Sequence, residues 1–224
     1  DDAVGRRILR TLRAEHVDAR VVVDPDVPTA IMLKDRPHLG RSRVTYYRHG
    51  NAGSRLVPAD VDLAAIEAAD VLHVTGIGLA LSPSSAAAVL HAVHHARASG
   101  TLVSFDVNHR SKLWSHAEAA PCYREVVALA DVVFAGDDEA RILVEGETEE
   151  ELALALQALG PARAVVKLGD RGALGVDGDE VLRVDAYRVP VADTVGAGDA
   201  FVGGYLAELV RGAEHATRLR TAAA

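Results

Sequence analysis

From Asp60 onward, helical stretches alternate with short β-type runs, and this rhythm restricts the fold more than any other feature of the chain. Helix 60–68 leads to a strand at Val71–Val74. The next helix, 83–98, opens on Ser82-Pro83, a capping residue with Pro in the first turn, and stops at Gly100. Strand Thr101–Phe105, helix 117–130, strand Asp131–Phe134, helices over 137–144 and 147–158, and strand Ala164–Lys167 continue the pattern. Shorter strands follow at 173–176, 180–184 and 186–189. A final helical stretch opens near Gly196 and is interrupted around Gly212. Strands separated by helices cannot pair as hairpins, so the expected fold is α/β, with a mostly parallel sheet covered on both faces.

The first third of the chain breaks this rhythm. A helix over 4–16 carries Ile8, Leu9 and Leu12 on one face. Three β-type runs then follow at Ala19–Val23, Thr29–Leu33 and Arg41–Arg48, punctuated by Pro25, Pro28, Pro37 and Gly40. With no helix between them, they suggest a small antiparallel flap. The expected division is a β lid over 19–55, on a body made of 1–18 and 56–224.

Composition removes several classes of function. At 224 residues, one large domain with an appendage is expected, with enough core to need no disulfide. The single Cys122 has no partner for a disulfide, which suits a reducing, cytoplasmic setting. A formal charge of −8 and the lack of a basic run argue against nucleic acid. The stretch Val71–Ala96 lacks Asp, Glu, Lys and Arg, but Pro83, Gly76, Gly78 and several Ser and His residues make it strand, turn and buried helix, not a membrane span. The opening Asp1-Asp2-Ala3-Val4-Gly5-Arg6-Arg7 has no targeting pattern.

The most informative string is Asp193-Thr194-Val195-Gly196-Ala197-Gly198-Asp199-Ala200-Phe201, placed between strand-like Tyr187–Val191 and a helix. Gly196 and Gly198 allow close backbone approach at a helix start, where free N–H groups and the dipole attract an anion such as phosphate. Asp199, in the first turn, is kept ionised by the same dipole. A lone glycine turn followed by an acidic first-turn residue would mean little; the longer string, with Gly203-Gly204-Tyr205 after it, means more.

That string resembles the C-terminal motif of the ribokinase-like (PfkB) family of sugar and nucleoside kinases, and the resemblance extends over essentially the whole chain. It implies a ribokinase-like fold with a β lid, and catalysis by Asp199 as the base that takes the acceptor hydroxyl's proton. It implies that Gly196, Ala197 and Gly198 form the phosphate-binding turn. Phosphoryl transfer depends on positioning and charge neutralisation more than on a strong base, so an ordinary Asp suffices.

Two further segments are similar to the 2-keto-3-deoxygluconate kinase branch of the family. One is Arg43-Val44-Thr45-Tyr46-Tyr47-Arg48-His49-Gly50-Asn51-Ala52-Gly53-Ser54; the other is Phe105-Asp106-Val107-Asn108-His109-Arg110-Ser111-Lys112-Leu113-Trp114. Strand alternation puts Tyr46 and Arg48 on one face. The resemblance implies that Tyr46, Arg48 and Arg110 contact an acid sugar beside Asp199, and forked guanidiniums match a carboxylate well. Taken singly, both arginines could be solvated strand-end charges. Val165–Ala173 resembles the strand and glycine turn that line the nucleotide, which implicates Lys167, Gly169 and Gly172 along with Gly196 and Gly198. Glu139 matches a family position that helps organise magnesium, and Asp193 falls in a region associated with a monovalent cation. The expected cofactors are therefore ATP, Mg2+ and a monovalent cation. Two departures stand out: Gly136 replaces a usual Asn, and Met32 a usual lid aromatic.

Other candidates carry less. Gly76-Ile77-Gly78 follows a strand, but Leu81 occupies the third glycine position of a dinucleotide turn. His91, His94 and His95 have helical spacing without the Glu of a zincin. The expected activity is phosphorylation of the terminal hydroxyl of 2-keto-3-deoxygluconate; a neutral-sugar kinase (ribokinase or fructokinase) and a non-catalytic sugar- or nucleotide-binding regulator of the same fold stay open. An exposed lid strand would suit pairing of two copies. The family's opening strand has no counterpart before Asp1, nor its last helices after Ala224, so residues 1–224 in isolation are expected to be insoluble or inactive.

Overall fold

The structure, a computed structural model, describes residues 1–35, 43–191 and 193–224. Six strands form one sheet in simple chain order: β3 (Val71–Thr75), β4 (Leu102–Asp106), β5 (Val132–Gly136), β6 (Arg163–Lys167), β7 (Ala173–Asp177) and β8 (Glu180–Val184). Neighbours from β3 to β6 are parallel, while β7 and β8 are added antiparallel. The remaining strands, β1 (Ile31–Asp35) and β2 (Arg43–Tyr47), make a separate antiparallel pair with Met32 opposite Tyr46. The sheet is thus the mostly parallel one expected, with helices on both faces.

Local signals explain most boundaries. Helix α1 (Ala3–Ala14) begins at Asp2, whose carboxylate accepts from the Gly5 amide at 2.7 Å. The short α2 spans Leu63–Glu67, and α3 spans Gly76–Ala80. Helix α4 (Pro83–Ser99) is capped by Ser82 and ends at Gly100, where φ is +83°. A reciprocal Ser115–Glu118 cap opens α5 (His116–Leu129), and a Thr148–Glu151 cap opens α7 (Glu149–Gln157). Between these lies α6 (Asp137–Ala140). Helices α8 (Ala197–Val210) and α9 (His215–Ala223) close the chain.

Strand alternation sorts the core into two layers. Val103, Phe105, Val133, Ala135, Ala164 and Val166 face one way and pack with Val93 and Ala96 of α4, Val126 and Val127 of α5, and Leu152 and Leu156 of α7. Val132, Phe134 and Val165 face the other way, against Val202 and Tyr205 of α8 and Leu219 of α9. Phe134 meets Tyr205 edge-on at 5.2 Å and Phe201 at 6.4 Å. Such pairs add about 0.5–1.5 kcal/mol each beyond area burial, which holds the start of α8 against the middle of the sheet.

Several expectations need correction. The run Ala19–Val23 is not a strand: Val21, Val22 and Val23 are each more than half exposed and pair with no described residue. β-Branched residues favour a strand only where a neighbouring strand gives them packing and hydrogen bonds. The flap is therefore a two-stranded ribbon among the described residues; the expected breaks at Pro37 and Gly40 and the first residue of the third run, Arg41, lie outside them. The 186–189 run is likewise extended without a ladder, with Tyr187 and Val189 exposed. Helix 60–68 contracts because Asp62 turns back to cap Ala65, and helix 137–144 is regular only to Ala140. Helix α1 forms, but none of its residues is buried.

Gly76 marks a tight junction behind the site. A Cβ there would lie 2.1 Å from the Val107 carbonyl oxygen and 2.7 Å from the Tyr123 ring. Alanine in a helix gains at most about 1 kcal/mol over glycine. Overpacking against backbone costs about 1–3 kcal/mol or more, so the clash decides the sign. Gly76→Ala in the full-length protein should lower the thermal unfolding midpoint; an unchanged or raised midpoint would show that the junction yields freely.

Candidate active site

The chemistry-bearing side chains gather at the C-terminal edge of the parallel strands, where open α/β sheets present their crevice. All four of these strands end in a polar or glycine residue: Thr75 on β3, Asp106 on β4, Gly136 on β5 and Lys167 on β6. Lys167 Nζ donates to Asp106 Oδ1 at 2.7 Å, with only 2% of the Asp106 side chain exposed. Burial pushes the Asp106 carboxyl up, Lys167 opposes this, and the Glu139 and Asp199 carboxylates add to the rise.

The glycine turn faces this edge. Gly196 caps α8 with φ at +81°, a left-handed conformation that strains any side-chain-bearing residue. Asp2, Ser82, Ser115 and Thr148 close their helices with side-chain oxygens, but Gly196 has none to offer. Ala197 N–H reaches the Thr194 carbonyl at 3.3 Å, and Ala200 N–H reaches the Gly196 carbonyl at 2.8 Å. The Gly198 and Asp199 amides sit in the first turn, where no intrahelical acceptor exists. An anion is the natural partner for such amides. Asp199 is exposed and hydrogen-bonds to no described residue. A Cβ on Gly198 would lie 3.8 Å from Lys167 Nζ, so the ammonium flanks the turn.

Glu139 is fully engaged: Oε1 accepts from the His109 amide at 2.8 Å and Oε2 from the Gly136 amide at 2.7 Å. It fastens the chain after β4 to the end of β5. Asp193 Oδ1 accepts from the Val195 amide at 3.0 Å and from Lys34 Nζ of β1 at 2.5 Å, which ties the ribbon to the glycine turn. Gly169, with φ at +60°, begins a short 3-10 turn after β6; at Gly172, φ is +90° and a Cβ would collide with the Val184 carbonyl. These two glycines shape the β6–β7 connection.

On the other side, a cleft of about 640 Å³ opens between the ribbon and the body, its wall including Tyr46, Arg48, His49, Ser82 and Lys112. The Arg48 guanidinium lies 4.2 Å above the Tyr46 ring, on the shared face expected from alternation. Burial lowers the Arg48 pKa, and the nearby positive charge of Arg110 lowers it further. Arg110 is not part of that wall and donates to the His109 carbonyl at 3.2 Å. Lys112 Nζ reaches the Val44 carbonyl of β2 at 3.5 Å. Met32 is exposed, opposite Tyr46 in the ribbon.

Sequence reasoning quoted Asp106 but gave it no role, although a carboxylate ending the strand-like run Leu102–Phe105 is a visible signal. It likewise gave none to Asn51 and Ser54, which close the base of the ribbon: the Asn51 side chain and the Ala52 amide both donate to the Pro28 carbonyl, and Ser54 Oγ donates to the Asn51 carbonyl. Of the helical histidines, His95 meets Glu67 at 2.9 Å and His94 points to Glu125 at 3.9 Å, so they diverge. Among the described residues, no group of three His, Cys, Asp or Glu could hold a metal alone.

His109 supplies a pH test. Its Nδ1 meets the Tyr123 hydroxyl at 3.1 Å, and its Nε2 is buried without a hydrogen-bond partner among the described residues. Burial, then the adjacent His116, lowers its pKa below the ordinary 6.5, with Glu139 opposing. Below pH 6.5 the unfolded ring binds a proton that the folded ring still refuses, so stability present above that pH is lost as the pH falls through the lowered value. Unfolding midpoints between about pH 7.5 and 5 should fall, and His109→Gln should flatten that fall; an equally steep profile would assign the effect elsewhere.

The pfkB family carbohydrate kinase pattern matches residues 1–224. The 2-dehydro-3-deoxygluconokinase of Thermoproteus tenax is 40% identical over 222 residues, which cover 96% of this chain and 66% of that protein. The chain thus spans about two thirds of the length of this curated relative. A crystal structure of a PfkB protein from a Polaromonas species superposes with a TM-score of 0.91 at 32% identity, over 99% of this chain and 74% of that one. A putative ribokinase II from E. coli, solved in complex with ATP and Mg2+, gives a TM-score of 0.91 at 26% identity, over 100% of this chain and 71% of the other. With its uncapped glycine turn, free Asp199 and parallel sheet edge, the chain belongs to the pfkB family of carbohydrate kinases.

Proposed function

We propose that the protein carrying this chain is an ATP-dependent kinase that phosphorylates the terminal hydroxyl of 2-keto-3-deoxygluconate. The observation that carries the choice of sugar is Arg48 in the cleft wall, partly buried and stacked on Tyr46, a guanidinium fork suited to a sugar carboxylate. The name of the Thermoproteus tenax relative supports the same substrate. In this reading residues 19–55 are the lid, 1–18 and 56–224 are the body, and the lid sets Tyr46 and Arg48 over the sugar. A neutral-sugar kinase would leave Arg48 and Arg110 without an anionic partner.

At the other end of the sugar, Asp199 takes the hydroxyl proton as the oxygen attacks the γ-phosphorus and the bond to ADP breaks. The Gly198 and Asp199 amides hold the transferring phosphoryl group, and each preorganised donor of this type is worth roughly 10²–10³ in rate. The turn at Gly169 and Gly172 lines the nucleotide, and Lys167 meets it only at the γ-phosphate, beside the glycine turn. The relative solved with ATP and Mg2+ supports this cofactor pair. Magnesium ordinarily arrives on the phosphates with one or two carboxylates. The Glu139 oxygens each already accept an amide, which suits an indirect role through water. A monovalent cation on Asp193 fits poorly, because the Lys34 ammonium already neutralises that carboxylate. Among the described residues no helix is long and apolar enough to cross a membrane, and the lone Cys122 favours the cytoplasm. The exposed apolar residues Ile31, Leu33 and Tyr47 suit the ribbon to contact between two copies.

Two substitutions test the assignment in the full-length enzyme. Asp199→Asn keeps the size and removes the base, so turnover should fall about 10²-fold or more with ATP affinity retained; turnover within a few-fold of wild type would remove Asp199 from that role. Arg110→Ala should weaken selection of 2-keto-3-deoxygluconate by roughly 10–100-fold, following the roughly 1.5–3 kcal/mol of a charge-assisted contact, with a smaller loss on fructose or ribose. ADP release measured across acid and neutral sugars reads both. A preference for ribose or fructose would overturn the sugar while leaving the kinase in place.

A further inference from the structure

We propose that Lys167 acts on the phosphoryl group in flight, and that Asp106 is the positioning residue that holds its ammonium at the mouth of the glycine turn. A buried ion pair is weak evidence of a stabilising role, since apolar replacements of such pairs are often neutral or better. Its location is more telling. Asp106 and Lys167 are the last residues of β4 and β6, and the lysine reaches across the end of the intervening β5 to make the bond. The pair lies beyond the apolar layer under α8, on the same sheet face as Phe134 and Val165 but at the edge where α8 begins. Satisfying the sheet or the core does not require it there.

The charges nearby point the same way. Glu139 spends both oxygens on backbone amides, and Asp199 stands free in the first turn of α8. Lys167, which also acts on His73 alongside Asp199, is the cation among these carboxylates. An incoming phosphoryl group adds negative charge to a site that already holds the carboxylates of Asp106, Glu139 and Asp199. An ammonium has three donors, of which Asp106 takes one, leaving two for phosphoryl oxygens beside the Gly198 and Asp199 amides. Without Asp106 the flexible four-carbon stem would sample many rotamers; with it, Nζ is held within reach of Gly198. Lys167 neither gives nor takes a proton in this step. The acceptor oxygen bonds to the γ-phosphorus, its proton goes to Asp199, and the electron pair of the broken P–O bond leaves with ADP, while the ammonium donates to the oxygens that carry the charge in between.

The test rests on the phosphoryl-transfer reading above and uses the full-length enzyme with Lys167→Met, Asp106→Asn and the double variant. Lys167→Met is the safest to fold, since Asp106, already pushed up by burial, can take a proton once the ammonium has gone. Its kcat should fall about 10²–10³-fold, with ADP affinity from calorimetry changed only a few-fold. Asp106→Asn should lower kcat in the same direction with ADP affinity likewise retained. The double variant should regain thermal stability lost by Asp106→Asn without regaining turnover. Turnover within a few-fold of wild type in Lys167→Met, or its return in the double variant, would make the pair a structural one and overturn the proposal. A parallel loss of ADP affinity and kcat would place Lys167 on the nucleotide in the ground state, which also overturns it. A wild-type enzyme that releases no ADP with any acid or neutral sugar would sink the kinase reading itself, whereas an active wild type with an active Lys167→Met sinks this inference alone.

Discussion

The packing of α8 across the middle of the sheet sets the position of everything chemical in this chain. Tyr205 and Phe201 meet Phe134, while Val202 and Tyr205 share one buried cluster with Val132 and Val165. This apolar contact is broad enough to hold the helix axis, and its N-terminal end then falls at the C-terminal edge of β4, β5 and β6. Helix α9 secures the arrangement from outside. Its Arg218 pairs with Asp177, His215 Nε2 donates to the Gly175 carbonyl at 3.1 Å, and Gly204 allows the Thr221 carbonyl to approach α8 closely. A side chain at Gly204 would push the two helices apart.

Once α8 is placed, the electrostatics of the edge follow. The dipole and the unpaired amides of its first turn favour an anion, and the strand ends opposite supply the charges that steer it. Asp106 and Lys167 neutralise each other, Glu139 serves backbone amides, and Asp199 is left unengaged. The edge combines the unpaired amides of a helix start with one available carboxylate. The proposed transfer of a phosphoryl group to a hydroxyl would need just that: little covalent chemistry, and a fixed place for charge to develop.

The ribbon side works by another principle. The β1–β2 ribbon has no apolar core of its own among the described residues, and Ile31, Met32 and Leu33 remain exposed. It is held by polar tethers: Lys34 to Asp193, Lys112 to Val44, and Asn51 to Pro28. Individually exposed or half-exposed tethers of this kind are weak. Arg48 stacks on Tyr46 just beyond the ribbon, and one tether leads to the glycine turn while another leads to the segment carrying Arg110.

Much of this arrangement is legible in the order of residues alone. The βα rhythm determines an α/β sheet because the 3.6 and 2.0 periodicities and the caps at Ser82, Ser115 and Thr148 are local properties. The Gly196–Asp199 string marks the anion turn for the same reason: a left-handed helix cap without a side chain can be read from a few consecutive residues. What local signals cannot reveal is pairing. Val21–Val23 and Tyr187–Val191 have strand-like residues but no ladder among the described residues, because strand formation depends on a neighbour that the run itself does not encode. Asp106 and Lys167 lie 61 residues apart, and Glu139 is 30 residues from the His109 amide it holds. Only the tertiary structure, by laying β4, β5 and β6 side by side, brings these residues to one edge and turns separate strand-end charges into a single site.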